Sequence, residues 1–215
     1  MTEFLANESA GPQEAPNAAA DALPTEELWR ADLYDLLAAL LARPPSEELL
    51  AGLARLEGDR ETEIGRHIGA LARLASATGE KAAEREYNAL FIGLGRGELL
   101  AFASFYLTGF LNEQPLARLR RDMARLGIAR EEEVYEPEDN IATLCEIMAG
   151  LIRGRFGAPA TAPAQREFFT THLEPWAEHF FTDLEKAAAA VLYAPVGSLG
   201  RAFMEVESHT FRMIE

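Results

Sequence analysis

The chain has 215 residues, 48% hydrophobic and 26% charged, and its 35 Asp and Glu against 20 Lys and Arg leave a net charge of −15. The balance is that of a folded globular protein rather than a disordered one, and the acidity argues against nucleic acid while suiting a cationic partner. The one cysteine, Cys145, excludes an internal disulfide framework and an all-cysteine zinc site.

Residues 1–24 carry Glu3, Glu8, Glu14 and Asp21, no Lys or Arg, and three prolines. They read as a disordered acidic tail, a solubilising arm rather than a pseudo-ligand folded over a site. Residues 25–215 read as one all-helical domain. Thr25 is the expected cap of a first helix, with Glu26 and Glu27 in its first turn and apolar residues from Leu28 to Leu41 at helical spacing, stopped by Pro44 and Pro45. Ser46 opens a second helix, residues 61–77 form a third, and residues 80–91 a fourth. After Gly93, Gly95 and Gly97, residues 99–111 are apolar and aromatic nearly all round, the pattern of a central buried helix. Pro115 opens the next helix and Gly127 ends it. An acidic stretch precedes a helix over 139–153, with Asp139 as its expected cap. Gly157, Pro159 and Pro163 mark a linker and a minor division, two helices flank Pro175, and a last helix follows Pro195 and Gly197. The expected fold is all-α, a single-domain bundle of about nine or ten helices.

No catalytic constellation emerges. The G-x-G-x-G loop follows a helix and lacks the G-K-S/T of a phosphate loop. None of His67, His172, His179 and His209 has a Glu three positions before it, so the Glu-x-x-His pair of di-iron bundles is missing. His172 and His179 read as surface or cap residues, and Cys145, between Leu144 and Ile147, as a buried structural thiol. No metal and no cofactor is expected. The longest apolar runs, 36–42 and 187–194, are too short to span a bilayer, and the amino terminus lacks the basic start and apolar stretch of a secretory signal. No stable membrane insertion is expected, and the expected address is the cytoplasm.

Two features stand above this background. Glu131, Glu132, Glu133, Glu136, Glu138 and Asp139, with Pro137 among them, form an acidic knot. It reads as a solvated helix start or as a seat for a guanidinium, which carboxylates bind through paired hydrogen bonds. The residues alone favour the first. The second feature is aromatic: Tyr87, Leu90 and Phe91, then Phe102, Phe105, Tyr106 and Phe110. It reads as core or as an apolar slot for a peptide. Knot and slot together suit a peptide with arginines followed by hydrophobic residues.

Glu136-Pro137-Glu138-Asp139-Asn140 resembles the E-P-x-D-H segment of the TorD/DmsD/NarJ-like chaperones. Tyr87 to Phe91, the glycine loop and Ala103 to Tyr106 resemble that family's Y-x-x-L-F, loop and aromatic helix. Leu33 to Leu41 with Pro44 and Pro45, and Phe168 through Trp176 to Phe181, are similar to its first helix and later aromatic block. The resemblance implies a non-enzymatic cytoplasmic chaperone. Its partner would be a molybdenum or tungsten oxidoreductase precursor, of formate dehydrogenase or DMSO/TMAO reductase type, or that precursor's twin-arginine signal peptide. It would assist cofactor insertion and delay export, and a homodimer is allowed. The resemblance raises the guanidinium reading of the knot and implies a peptide site at Tyr87, Leu90, Phe91, Tyr106, Glu136, Pro137, Asp139 and Asn140. Asn140 stands where the family has His, so a charge-based role of that position does not carry over. A non-catalytic helical adaptor and a weak nucleotide-binding or GTP-hydrolysing protein are the alternatives.

Overall fold

Side-chain caps, prolines and glycines divide the chain into short helices. A computed structural model describes residues 23–93, 95–129 and 136–213. Residues 1–22 of the expected tail and Glu131, Glu132 and Glu133 of the acidic knot lie outside the described residues. Among the described residues, ten α-helices and one π-helical segment make up the regular structure, and an antiparallel bridge between Phe102 and Asn140 is isolated. The all-α expectation holds.

Helix α1 (Thr25–Ala42) includes Thr25 as its first residue, with Pro24 at the cap position, so Thr25 is not its cap. Helix α2 (Glu47–Leu53) starts where the Ser46 hydroxyl accepts the Leu49 N–H at 3.2 Å. Helix α3 (Glu63–Ala77) starts where Thr62 accepts the Gly65 N–H at 3.1 Å. Helix α4 (Glu80–Tyr87) widens into a π-helical segment, Asn88–Ile92. Helices α5 (Ala103–Thr108), α6 (Gln114–Arg125) and α7 (Ile141–Arg153) follow, then α8 (Ala162–His172), α9 (Ala177–Lys186) and α10 (Tyr193–Met213). Pro195 lies inside the first turn of α10 rather than before it. A missing N–H costs little there, because the first N–H groups of a helix have no helical acceptor.

The central helix is α7, not the 99–111 segment. Ile141, Leu144, Cys145, Met148 and Ile152 are fully enclosed, and α7 packs chiefly along α1 while α9 packs along α10. Trp176, Phe169, Phe180, Phe181 and Phe203 fill the space between them. The 99–111 segment is only partly helical. Its first residues are extended, tied by the Leu99 N–H to the Leu90 carbonyl at 2.8 Å and by the bridge at Phe102. Gly109, at φ 82°, then ends α5 after six residues, leaving Leu107, Phe110 and Leu111 exposed.

Ionic side chains, of which Glu207 is fully buried, fix how α10 sits. Arg30 of α1 donates from Nε and Nη2 to the two Glu207 oxygens, each at 2.7 Å, and the Tyr34 hydroxyl donates to Glu207 at 2.8 Å. Glu86 accepts the N–H groups of Val191 and Tyr193 at 2.7 and 2.8 Å, while Glu98 accepts those of Ala188 and Ala189 at 2.6 and 3.1 Å. Two carboxylates that the sequence marks only as surface charge therefore hold the turn into α10.

Candidate functional site

The backbone of the acidic motif pairs with the strand-like approach to α5. The Ala103 N–H donates to the Asp139 carbonyl and the Ile141 N–H to the Ala101 carbonyl, both at 2.9 Å. Helices α5 and α7 thus start from one shared joint. Asn140 caps α7, its side-chain oxygen accepting the Ala142 N–H at 2.8 Å. The expected cap, Asp139, instead caps α5. Its Oδ2 accepts the Ser104 N–H at 2.8 Å and the Ser104 hydroxyl at 2.5 Å.

The three described carboxylates of the motif serve three different neighbours. Glu138 is buried and pairs with Arg120 of α6 at 2.8 Å. Glu136 is exposed, accepts the Asn140 side-chain amide at 3.2 Å, and faces a groove of about 300 Å³ between α1 and α7 that Glu146 also lines. Desolvation holds its carboxyl above the ordinary range, against the pull of the Asn140 hydrogen bond. Asp139 is 1% exposed, and its Oδ1 has no hydrogen-bond partner among the described residues. It lines a cavity of about 80 Å³ whose walls include Leu107, Pro115, Arg118, Leu144 and His172. A buried carboxylate oxygen without a donor is costly, and Asp139 carries one beside a cavity.

His172, expected as a surface or cap residue, is the last residue of α8 and is buried there, with Nε2 2.9 Å from Asp122. Burial pulls its pKa down, and Asp122 only partly opposes this. Cys145 is enclosed, and burial raises its thiol well above the ordinary value.

The aromatic residues are divided too. Tyr87 and Leu90 belong to the core, the Tyr87 hydroxyl donating to the Leu41 carbonyl at 3.2 Å. Burial, with a smaller push from Glu136, raises the Tyr87 hydroxyl to about 12. Phe91 is half-buried against Tyr193, with ring centroids 5.5 Å apart. Tyr106 is half-buried, stacks near Trp176 at 5.3 Å and donates to Asp183 at 3.0 Å. Pro137 is half-buried at the shared joint. The apolar surface next to the cavity is formed by other residues. Leu107 lines it, and residues 109–113 link Leu107 to Pro115, carrying exposed Phe110 and Leu111. The sequence places Phe110 in the aromatic feature that reads as core or slot, but does not single out Leu107 and Leu111, which fall in the 99–111 run read as a central buried helix. Gly109 before Phe110 and Leu111, with Asn112 after them, is the turn signal that marks them as surface.

The profile of the family described as "Nitrate reductase delta subunit" matches residues 57–182, more than half of the chain and all of the cavity walls. The chain belongs to this TorD-like family. A chaperone protein TorD from Vibrio cholerae serotype O1 is 28% identical over 202 residues, covering 84% of this chain and 90% of its own length. One from Photobacterium profundum is 31% identical over 139 residues, covering 57% of this chain and 63% of its own. A crystal structure from Archaeoglobus fulgidus, described as that of a candidate redox enzyme maturation protein, shares the fold. Its TM-score is 0.53 at 20% identity, over 82% of this chain and 93% of that one. The TorD relatives are chaperones by name, which supports a non-enzymatic role for this member of the family. Among the described residues no helix is long and apolar enough to cross a membrane, and no group of three or more His, Cys, Asp or Glu is placed to hold a metal ion.

Proposed function

We propose that the protein is a cytoplasmic chaperone dedicated to a molybdenum or tungsten oxidoreductase, and that it binds an arginine-bearing segment of that client, such as a twin-arginine signal peptide. Asp139 is the anchor. The observation that carries this reading is the buried Asp139 carboxylate, oriented by Ser104 through Oδ2 while Oδ1 lacks a partner beside a cavity. A guanidinium entering there supplies the missing donors. The apolar residues that follow it in the client lie on Leu107, Phe110 and Leu111, and the neighbouring groove, with Asp35, Glu136 and Glu146 against Arg43 and Arg155, keeps an acidic excess for further positive charge.

A twin-arginine peptide titrated onto wild type and Asp139→Asn tests the site. Asparagine keeps an acceptor for Ser104, so the fold should survive with little change in melting temperature. Loss of a partly desolvated charge pair costs about 2–5 kcal/mol, roughly 30- to 4,000-fold in affinity, whereas an exposed pair costs about 0.2–1 kcal/mol. A loss well above tenfold is expected. Equal binding by both proteins removes Asp139 from the site.

A further inference from the structure

Beside α3 lies a groove of about 730 Å³ lined by Arg60, Arg66 and Arg73, with Glu57 as the one carboxylate in its wall. This charge runs against that of the chain as a whole, which is −15. Several arginines elsewhere are held in ion pairs: Arg30 with Glu207, Arg120 with Glu138, Arg155 with Asp35, Arg201 with Glu185. The three groove arginines are exposed and engage no carboxylate among the described residues. Arg66 is held toward the loop by two long hydrogen bonds, from Nη1 to the Arg60 and Glu61 carbonyls at 3.3 and 3.4 Å. Gly58 and Gly65 allow the loop before α3 to lie directly on the helix backbone, since a Cβ on Gly58 would collide with the Gly65 carbonyl. The floor is therefore shallow and peptide-like, and exposed Leu56 adds an apolar edge.

The chain contains a segment of matching chemistry. Residues 1–22, outside the described residues, carry Glu3, Glu8, Glu14 and Asp21, no cation, and the apolar pair Phe4 and Leu5. They join α1 at its start, and α2 and α3 follow its end. Helix α1 is about 27 Å long, and 22 residues reach about 70 Å fully extended, so the groove is within range. Tethering raises the effective concentration of such a segment to the millimolar range, enough to fill a weak electrostatic site. We infer that the α2–α3 arginine groove is a docking surface for this chain's own acidic amino-terminal segment. The segment's carboxylates balance the three arginines, and the solubilising arm expected from composition acquires a seat.

The test uses the full chain. A nitroxide is attached at Ser9→Cys, with Cys145 left in place because it is enclosed and inert to the reagent. At low ionic strength, amides of residues 65–73 should lose intensity more than those of α8 or α9. The loss should reverse in about 1 M salt, where the screening length is about 3 Å. It should also disappear in a variant carrying Arg60→Gln, Arg66→Gln and Arg73→Gln, checked for folding by circular dichroism. A second variant, with Glu3, Glu8 and Glu14 changed to Gln, leaves the helical core untouched and should give the same loss of effect. Absence of any preference for 65–73, or a preference that persists in the tail variant, overturns the proposal. So does transfer of the effect between spin-labelled and isotope-labelled molecules in a mixture, which would assign the groove to a second copy.

Discussion

At the scale of single residues, Asp139 and His172 carry opposite kinds of burial. Asp139 is buried and half-satisfied, its Oδ2 on Ser104 and its Oδ1 without a partner among the described residues. Asp139→Ala should cost about 1–3 kcal/mol, because it strips the Ser104 N–H and hydroxyl of their acceptor. Asp139→Asn should cost far less, and comparing their denaturation midpoints separates the cap from the charge. His172 is neutral by preference, since burial lowers its pKa from 6.5. The unfolded chain takes up a proton there more readily than the fold does. The stability due to the neutral ring is thus present above 6.5 and is lost as pH falls below it toward the depressed folded value. Asp122 favours the charged ring while Arg118 and Arg125 oppose it. The melting temperature of wild type should fall on mild acidification, and His172→Gln should flatten that fall. A parallel decline in both proteins would show that other groups set the slope.

At the scale of elements, helix starts and stops were legible because they are local chemistry. Ser46 caps α2, Pro115 opens α6, and Gly127 ends it at φ 70°. The 99–111 run was misread because an apolar sequence does not state which neighbours cover it. Its extended start depends on partners outside the run, Leu90 before it and Asn140 far along the chain. The motif Glu136 to Asn140 was legible as a unit, but its division among α6, α5 and the α1–α7 groove is tertiary and left no periodic trace. Two predictions follow from the exposed and buried faces. Leu107→Ser with Phe110→Ser should weaken peptide binding while changing stability little, because Leu107 and Phe110 are 44% and 69% exposed. Titration and thermal melting measured together check it, and unchanged affinity would place the client's apolar residues elsewhere. Glu207→Ala should do the reverse. It strips Arg30 of its contacts to α10, leaving it only Glu27 and Gln165, and strips the Tyr34 hydroxyl of its acceptor, a cost of about 2–3 kcal/mol, or several degrees in melting temperature. A drop of only a degree or two would show that Arg30 relaxes into water.

At the scale of the whole molecule, charge sets how a cationic client arrives. The net −15 acts over a distance comparable with the screening length, about 10 Å at 0.1 M salt, and draws a positively charged segment in before contact forms. The Asp139 cavity acts only after contact, where water is excluded and screening is weak. The two contributions therefore separate in kinetics. Raising salt from about 0.02 M to about 0.5 M should slow association of an arginine-bearing peptide by about tenfold or more, with a much smaller change in dissociation. Asp139→Asn should accelerate dissociation and leave the salt slope of association nearly as it was, since one charge among many makes little difference to the long-range field. Glu136→Gln with Glu146→Gln, at the groove mouth, should lower the association rate without a matching change in dissociation. Stopped-flow or surface-based kinetics at several ionic strengths reads all three. If salt acts mainly on dissociation, binding is governed by exposed contact pairs rather than by steering toward a buried anchor, and the assignment of Asp139 as that anchor fails.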